Sequence, residues 1–395
     1  MKIVSAKVFV VGTPPPHDGG VFWVFVKLTT DTGVEGIGEV YAVPFHPSVV
    51  EKMIEDVVDR YVIGTSPFDI ESLWRRAYSA GSTQRPDVSM VAILSGIETA
   101  CWDIMGKETN QPVYNLLGGK VRDRVRSYTY IYPAPGEDDS VYSNADISCE
   151  RAATYIKDGF TALKFDPIGP YSAFDPRQLS LEMLEFTEKF VKQLREAVGE
   201  KVDLLLGTHG QLTPASAIRL ARRIEKYDPL WFEEPTPPDM PEEMARVASR
   251  TTIPVATGER LSTKYEFARV LRNNSASILQ MAIGRVGGIM ETKKIAAIAE
   301  VHYAQIAPHL YAGPIEAAAN LHVDLSTPNF LIQESIGKMD NFHAKLLKKP
   351  LPWENGYFLP TTDPGLGVEL NEEVAAANPY TGQRLHLEMH QKPLN

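Results

Sequence analysis

The chain has 395 residues, with 50 acidic and 40 basic side chains and a formal charge of −10. That balance excludes nucleic acid or an anionic membrane as the main partner, because both need a basic face. At about 150 residues per domain the length accommodates two to three domains, and an apolar fraction of 44% excludes a disordered chain. The two cysteines, Cys101 and Cys149, form no CxxC motif and supply no disulfide framework, which fits a reducing compartment. The N-terminus lacks a secretory apolar core, and no run of about 18 apolar residues spans a membrane, so the expected location is cytoplasmic.

The first stretch reads as a meander. Ile3–Val11 alternates, Phe22–Thr29 follows, and Asp31-Thr32-Gly33 turns into Gly36-Ile37-Gly38-Glu39. The Pro- and Gly-rich segment 12–20 between the first two strands is an irregular loop. Helices are predicted from Pro47, from Asp69 and from Asp87 to Lys107. In the last, Val91, Leu94, Ile97, Cys101 and Ile104 follow helical spacing and predict one buried face. Strands followed by helices make residues 1–124 a self-contained α+β unit.

From residue 125 short apolar runs alternate with amphipathic stretches. The runs are Ser127–Ile131, Ala162–Phe165, Val202–Leu206, Leu230–Glu233, Pro254–Thr257, Ser277–Gln280, Gln305–Pro308 and Phe330–Gln333. Eight βα units across 125–355 are the arithmetic of a (β/α)8-type TIM barrel, an α/β fold. An open doubly wound sheet is the competing architecture, but no GxGxxG opens the first unit. The turn-rich tail, 356–395, is expected to pack back on the N-terminal unit.

Chemistry in such a barrel sits where the strands end. Lys164 and Asp166 end the second strand, Gly207 and His209 the third, Glu233 and Glu234 the fourth, and Glu259 the fifth. Arg285 follows the sixth, His309 ends the seventh and Glu334 the eighth. Carboxylates after apolar strands are unfavourable to bury unless paired or metal-bound. Glu233 and Glu259 are 26 residues apart, one βα unit, and so hold equivalent places on adjacent strands. Two such oxygen donors suit Mg²⁺; the alternative is pairing with Arg260 or Lys164. One further step back falls on Gly207, which cannot supply a third carboxylate.

The whole chain resembles the enolase superfamily, in its mandelate racemase/muconate lactonizing enzyme family, and is similar within it to acid-sugar dehydratases of the galactonate and mannonate type. The likeness is carried by Gly36-Ile37-Gly38-Glu39, by Gly96 to Ile104, by Leu116 to Lys120 and by Glu233-Glu234-Pro235. It continues through Gly258-Glu259-Arg260, Gly287-Gly288-Ile289, Pro308-His309, Asn329 to Glu334, and Pro364-Gly365-Leu366-Gly367. It implies a capping domain over a barrel, Mg²⁺, and a hydro-lyase that abstracts the α-proton of a sugar acid through an enediolate. Racemase, cycloisomerase, or a catalytically altered sugar-acid binder are the alternatives.

The resemblance carries Glu233 and Glu259 over as metal ligands, His309 as base, His209 as acid or base, Glu334 as a substrate-bonding acid, and Lys164 as one of a lysine pair. It further implies a homo-oligomer, dimer or octamer. Substrate contacts are expected from Arg285, Tyr130 and the capping-loop residues His17 and His46, with specificity in segments 12–20 and 41–47.

Three positions depart from the family. Gly207 replaces the third ligand Asp, Ala282 replaces the Asp that orients the seventh-strand His, and Asp166 replaces the second Lys. Two carboxylates leave a Mg²⁺ shell neutral where three leave it at −1, and Asp166 is the substitute ligand expected. Without an acid at 282, His309 is expected to lack a carboxylate partner.

Overall fold

The computed structural model describes residues 1–134 and 136–394. Strands β1 (Ile3–Gly12), β2 (Phe22–Thr30) and β3 (Glu35–Val40) form an antiparallel meander. It packs on the helix Val88–Glu108, whose N-cap Asp87 accepts from the amides of Ser89 and Met90. That helix was expected to bury one face. It is instead buried almost all round, between the meander and the barrel. It alone among the described residues is long and apolar enough to cross a membrane, and 89% of its apolar window lies inside the protein.

Eight parallel strands follow: β4 (Val125–Tyr130), β5 (Ala162–Phe165), β6 (Asp203–Gly207), β7 (Trp231–Glu233), β8 (Val255–Thr257), β9 (Ile278–Leu279), β10 (Gln305–Ile306) and β11 (Gln333–Ser335). Each pairs with the next through β10, β11 pairs with β4 at Glu334↔Tyr128, and a bridge from Ile306 to Phe330 closes the ring. The fold is therefore the expected barrel with an N-terminal capping unit. The last strand lies three residues later than predicted, because the apolar run Phe330–Ile332 leads into it rather than forming it.

Tyr128, Ala162, Leu205, Trp231, Ala256, Ile278, Ala307 and Ile332, one from each strand or its immediate flank, fill the barrel interior. This packed floor forces the polar residues two to four positions later to crowd the C-terminal rim. The tail begins on the barrel: β12 (Trp353–Glu354) and β13 (Tyr357–Phe358) form a hairpin whose second strand pairs antiparallel with β4. It then reaches the capping unit, where Pro379 bridges Val11 and Glu372 pairs with Lys7 and Lys27.

Candidate active site

A cavity of about 1150 Å³ opens at the rim. Lys164, Asp166, His209, Glu259, His309 and Glu334 all line it, from five different strand ends.

Lys164 is only 1% exposed. Its Nζ lies 2.7 Å from Glu233 Oε1 and 3.2 Å from Glu334 Oε1. Burial opposes a charged lysine, yet the two carboxylates outweigh it and hold the group well above its ordinary value. The second oxygen of Glu233 accepts from Trp231 Nε1 at 3.0 Å.

His309 sits 2.7 Å from Glu334 Oε2 and 3.4 Å from Glu259 Oε2 through Nδ1, while Nε2 meets Tyr41 Oη at 3.0 Å. The expectation of a partnerless His309 is corrected: Glu334, from the next strand end, supplies the carboxylate that residue 282 does not. Burial disfavours the imidazolium, but Glu334 and Glu259 raise the His309 pKa overall. Glu334 and Glu259 are in turn driven below the usual carboxylate range, against burial, by Lys164 and His309 in the first case and by His309 and His209 in the second.

His209 lies 3.3 Å from Asp166 Oδ2 through Nδ1 and stacks on Tyr171 at 4.6 Å. Its pKa is raised despite burial, through Asp166 and Glu259. His209 and Glu234 both hold left-handed backbone, φ 46° and 39°, a conformation that non-glycine residues seldom adopt. Two interlocking contacts keep them there: Arg260 pairs with Glu234 at 2.8 Å and donates to the His209 carbonyl at 2.9 Å.

The expected metal trio is not assembled. Asp166 is occupied by His209 and by the amide of Ile168, and Glu233 is occupied on both oxygens. Among the described residues no three His, Cys, Asp or Glu side chains are arranged to hold a metal ion. The residues present therefore do not fit Mg²⁺.

Of the expected substrate contacts, Arg285 and Tyr130 line the cavity, while His17 and His46 do not. His17 hydrogen-bonds Thr13, and His46 caps the helix Pro47–Val57 and donates to the Gly382 carbonyl. Sequence reasoning missed Tyr41, Tyr132, Tyr142, Tyr171 and Tyr311 on the lining, and the tail residues Leu387–His390. Tyr41 lies two residues past the quoted β3 motif and opens segment 41–47, where specificity was expected, although the residue itself was not singled out.

Residues 148–374 match the family described as enolase C-terminal domain-like, and residues 19–118 match the mandelate racemase/muconate lactonizing enzyme N-terminal domain. The chain belongs to this family of the enolase superfamily. The D-galactonate dehydratase of Klebsiella pneumoniae (strain 342) is 37% identical over 357 residues, covering 89% of each chain. A mandelate racemase/muconate lactonizing enzyme structure from Sulfitobacter sp. is 51% identical, with full coverage of both chains and a TM-score of 0.97. A mandelate racemase/muconate lactonizing enzyme-like protein from Roseovarius sp. TM1035 is 50% identical, covering 100% of this chain and 99% of its own, with a TM-score of 0.97.

Proposed function

We propose that this enolase-superfamily chain is a carbon–oxygen hydro-lyase that dehydrates a sugar acid to its 2-keto-3-deoxy product. The observation that carries the reading is the pair His209 and His309, on the third and seventh barrel strand ends and lining one cavity. Strands four apart in an eight-stranded ring face each other, so the two imidazoles address a substrate from opposite sides. The galactonate dehydratases among its relatives support the same reaction class.

His309 takes the proton from the carbon next to the carboxylate. Glu334 and Tyr41 fix its ring, one at each nitrogen. His209, oriented by Asp166, gives a proton to the departing β-hydroxyl, which leaves as water with its bonding electrons. The resulting enol becomes the 2-keto acid by protonation at the neighbouring carbon. Arg285 lines the cavity with its Nη atoms on the carbonyls of Glu259 and Ala42 and no carboxylate in ion-pair reach among the described residues, which suits it to the substrate carboxylate.

The test is a screen of purified protein against aldonates and aldarates, read by mass spectrometry. Loss of one water is expected. A product of unchanged mass assigns a racemase or cycloisomerase instead, and complete inactivity across the panel removes the enzymatic reading.

A further inference from the structure

The disagreement between the family's metal and this rim has a structural cause, and it lies at Gly207. On β6 and β7 Gly207 is the register partner of Glu233. A Cβ built on Gly207 would stand 2.9 Å from Lys164 Cε, with Lys164 Cγ and Cδ at 3.8 and 3.9 Å. Real Cβ atoms are seldom that close to a neighbour, so the volume a side chain at 207 would need belongs to the lysine stem. The lysine cannot swing aside freely, because it is 1% exposed and its ammonium is fixed by Glu233 and Glu334.

Resting on the reading of the rim as a carboxylate site, we propose that the Lys164 ammonium, seated over the bare α-carbon of Gly207, permanently replaces the divalent cation and that the rim takes its substrate without one. Three features support the exchange. Glu233 is engaged on both oxygens, by Lys164 on one and Trp231 on the other, so a second cation would have to share an oxygen with one of them. A divalent ion beside Glu233 would face a fixed positive charge across a buried space, where Coulomb repulsion is weakly screened. An ammonium has three N–H donors, and only two are taken by carboxylates, which leaves one for a substrate oxygen in the cavity that Lys164 lines. A small residue at 207 and a lysine at 164 therefore form one device: the glycine makes the space, and the lysine fills it with charge.

The deciding experiment is calorimetric titration of the chelator-treated, full-length protein with Mg²⁺ alone, alongside thermal unfolding with and without millimolar Mg²⁺. The expected result is no saturable heat and no shift of the midpoint. Stoichiometric Mg²⁺ binding overturns the proposal. The double variant Lys164→Ala/Gly207→Asp removes the ammonium and supplies a third carboxylate, and once circular dichroism shows it folded it is expected to gain one saturable Mg²⁺ site. A folded double variant blind to Mg²⁺ also overturns the proposal; if it does not fold, the wild-type titration decides alone. None of these readouts depends on turnover. A protein that ignores Mg²⁺ yet is inert to every sugar acid defeats the hydro-lyase reading only, and an active protein that binds Mg²⁺ defeats this proposal only.

Discussion

Glu98 of the capping unit holds Ile289 of the barrel. One oxygen of its carboxylate accepts the Ile289 amide at 2.7 Å, and the other accepts the Met290 amide at 2.9 Å and Trp102 Nε1 at 2.7 Å. Those amides open the helix Ile289–Val301, where unpaired N–H groups and the positive end of the helix dipole favour an acceptor. Burial pushes the Glu98 carboxyl up to about 7, which the three donors oppose. All three partners are donors, so Glu98→Gln must turn its NH₂ toward one of them. We expect a loss of about 1–3 kcal/mol in stability, measured by urea unfolding. An unchanged midpoint would show that the clamp contributes nothing.

Glu39 makes the same kind of bond to the amides of Gly313 and Glu316, at the start of the helix Pro314–Ser326. Two acids from the capping unit thus cap two barrel helices. Both lie in motifs on which the family resemblance was drawn, yet neither was read as a domain clamp from sequence. Their role depends on helix starts about 190 and 275 positions away, a separation that no local pattern encodes.

The second prediction concerns the rim. Replacing His309 by Asn is expected to lower kcat/KM for the active sugar acid by about 10²–10⁴, the usual worth of a positioned proton carrier. Tyr41→Phe removes one hydrogen bond to the same ring and leaves the carboxylate contact, so a smaller loss of about five- to ten-fold is expected. Equal losses in the two variants, with equal unfolding midpoints, would mean that His309 carries no chemistry of its own.

The rim was half legible. The 26-residue spacing of Glu233 and Glu259 placed both correctly on adjacent strand ends, and the absent acids at 207 and 282 were visible as absences. What replaces them was not visible. Glu334 reaches His309 because strands seven and eight are neighbours in space, and Lys164 reaches Gly207 because side chains on adjacent strands share one face of the rim. Spacing reports position along a strand, whereas the direction and length of a side chain decide its partner. The tail starts on the barrel, with β13 against β4, and only its middle part, at Glu372 and Pro379, touches the capping unit. Its last residues turn back to the cavity, where His390 exchanges backbone hydrogen bonds with Tyr171 and Ala173, a contact without a periodic signature.

A third prediction tests the meander's packing. Gly38 lies on β3 where a Cβ would overlap the carbonyl of Gly96 and stand 3.0 Å from the Ala100 nitrogen. Both obstacles are helix backbone, which cannot turn away as a side chain can. Gly38→Ala is expected to destabilise the protein by about 3 kcal/mol or more, at the upper end of overpacking effects. A fall in unfolding free energy below about 1 kcal/mol, the ordinary scale of a surface change, would mean that the sheet and helix can separate without penalty.

The last prediction concerns acid. His322 is buried against Tyr114, with ring centroids 5.5 Å apart, and its Nδ1 accepts the Tyr114 amide at 3.1 Å. Accepting at Nδ1 requires the neutral ring with its proton on Nε2. Burial pushes the His322 pKa down to about 4, from 6.5 in the unfolded chain. Between those values the unfolded state binds the extra proton, so stability rises with pH across that window. The contribution is complete above 6.5 and is lost as pH falls toward 4, at about 1.4 kcal/mol per unit of pKa shift and about 3 kcal/mol in all. His322→Asn keeps an acceptor near the Tyr114 amide and removes the titration. Taking the difference between wild type and variant cancels Glu39 and Glu98, whose raised pKa values of about 8 and about 7 act in the opposite sense, losing stability as pH rises above 4.5. The variant is expected to be less stable at pH 7.5 and to close most of that gap by pH 4.5, measured by urea unfolding across the range. Parallel stability curves would show that His322 is already charged in the folded protein, or titrates there as freely as in the unfolded one.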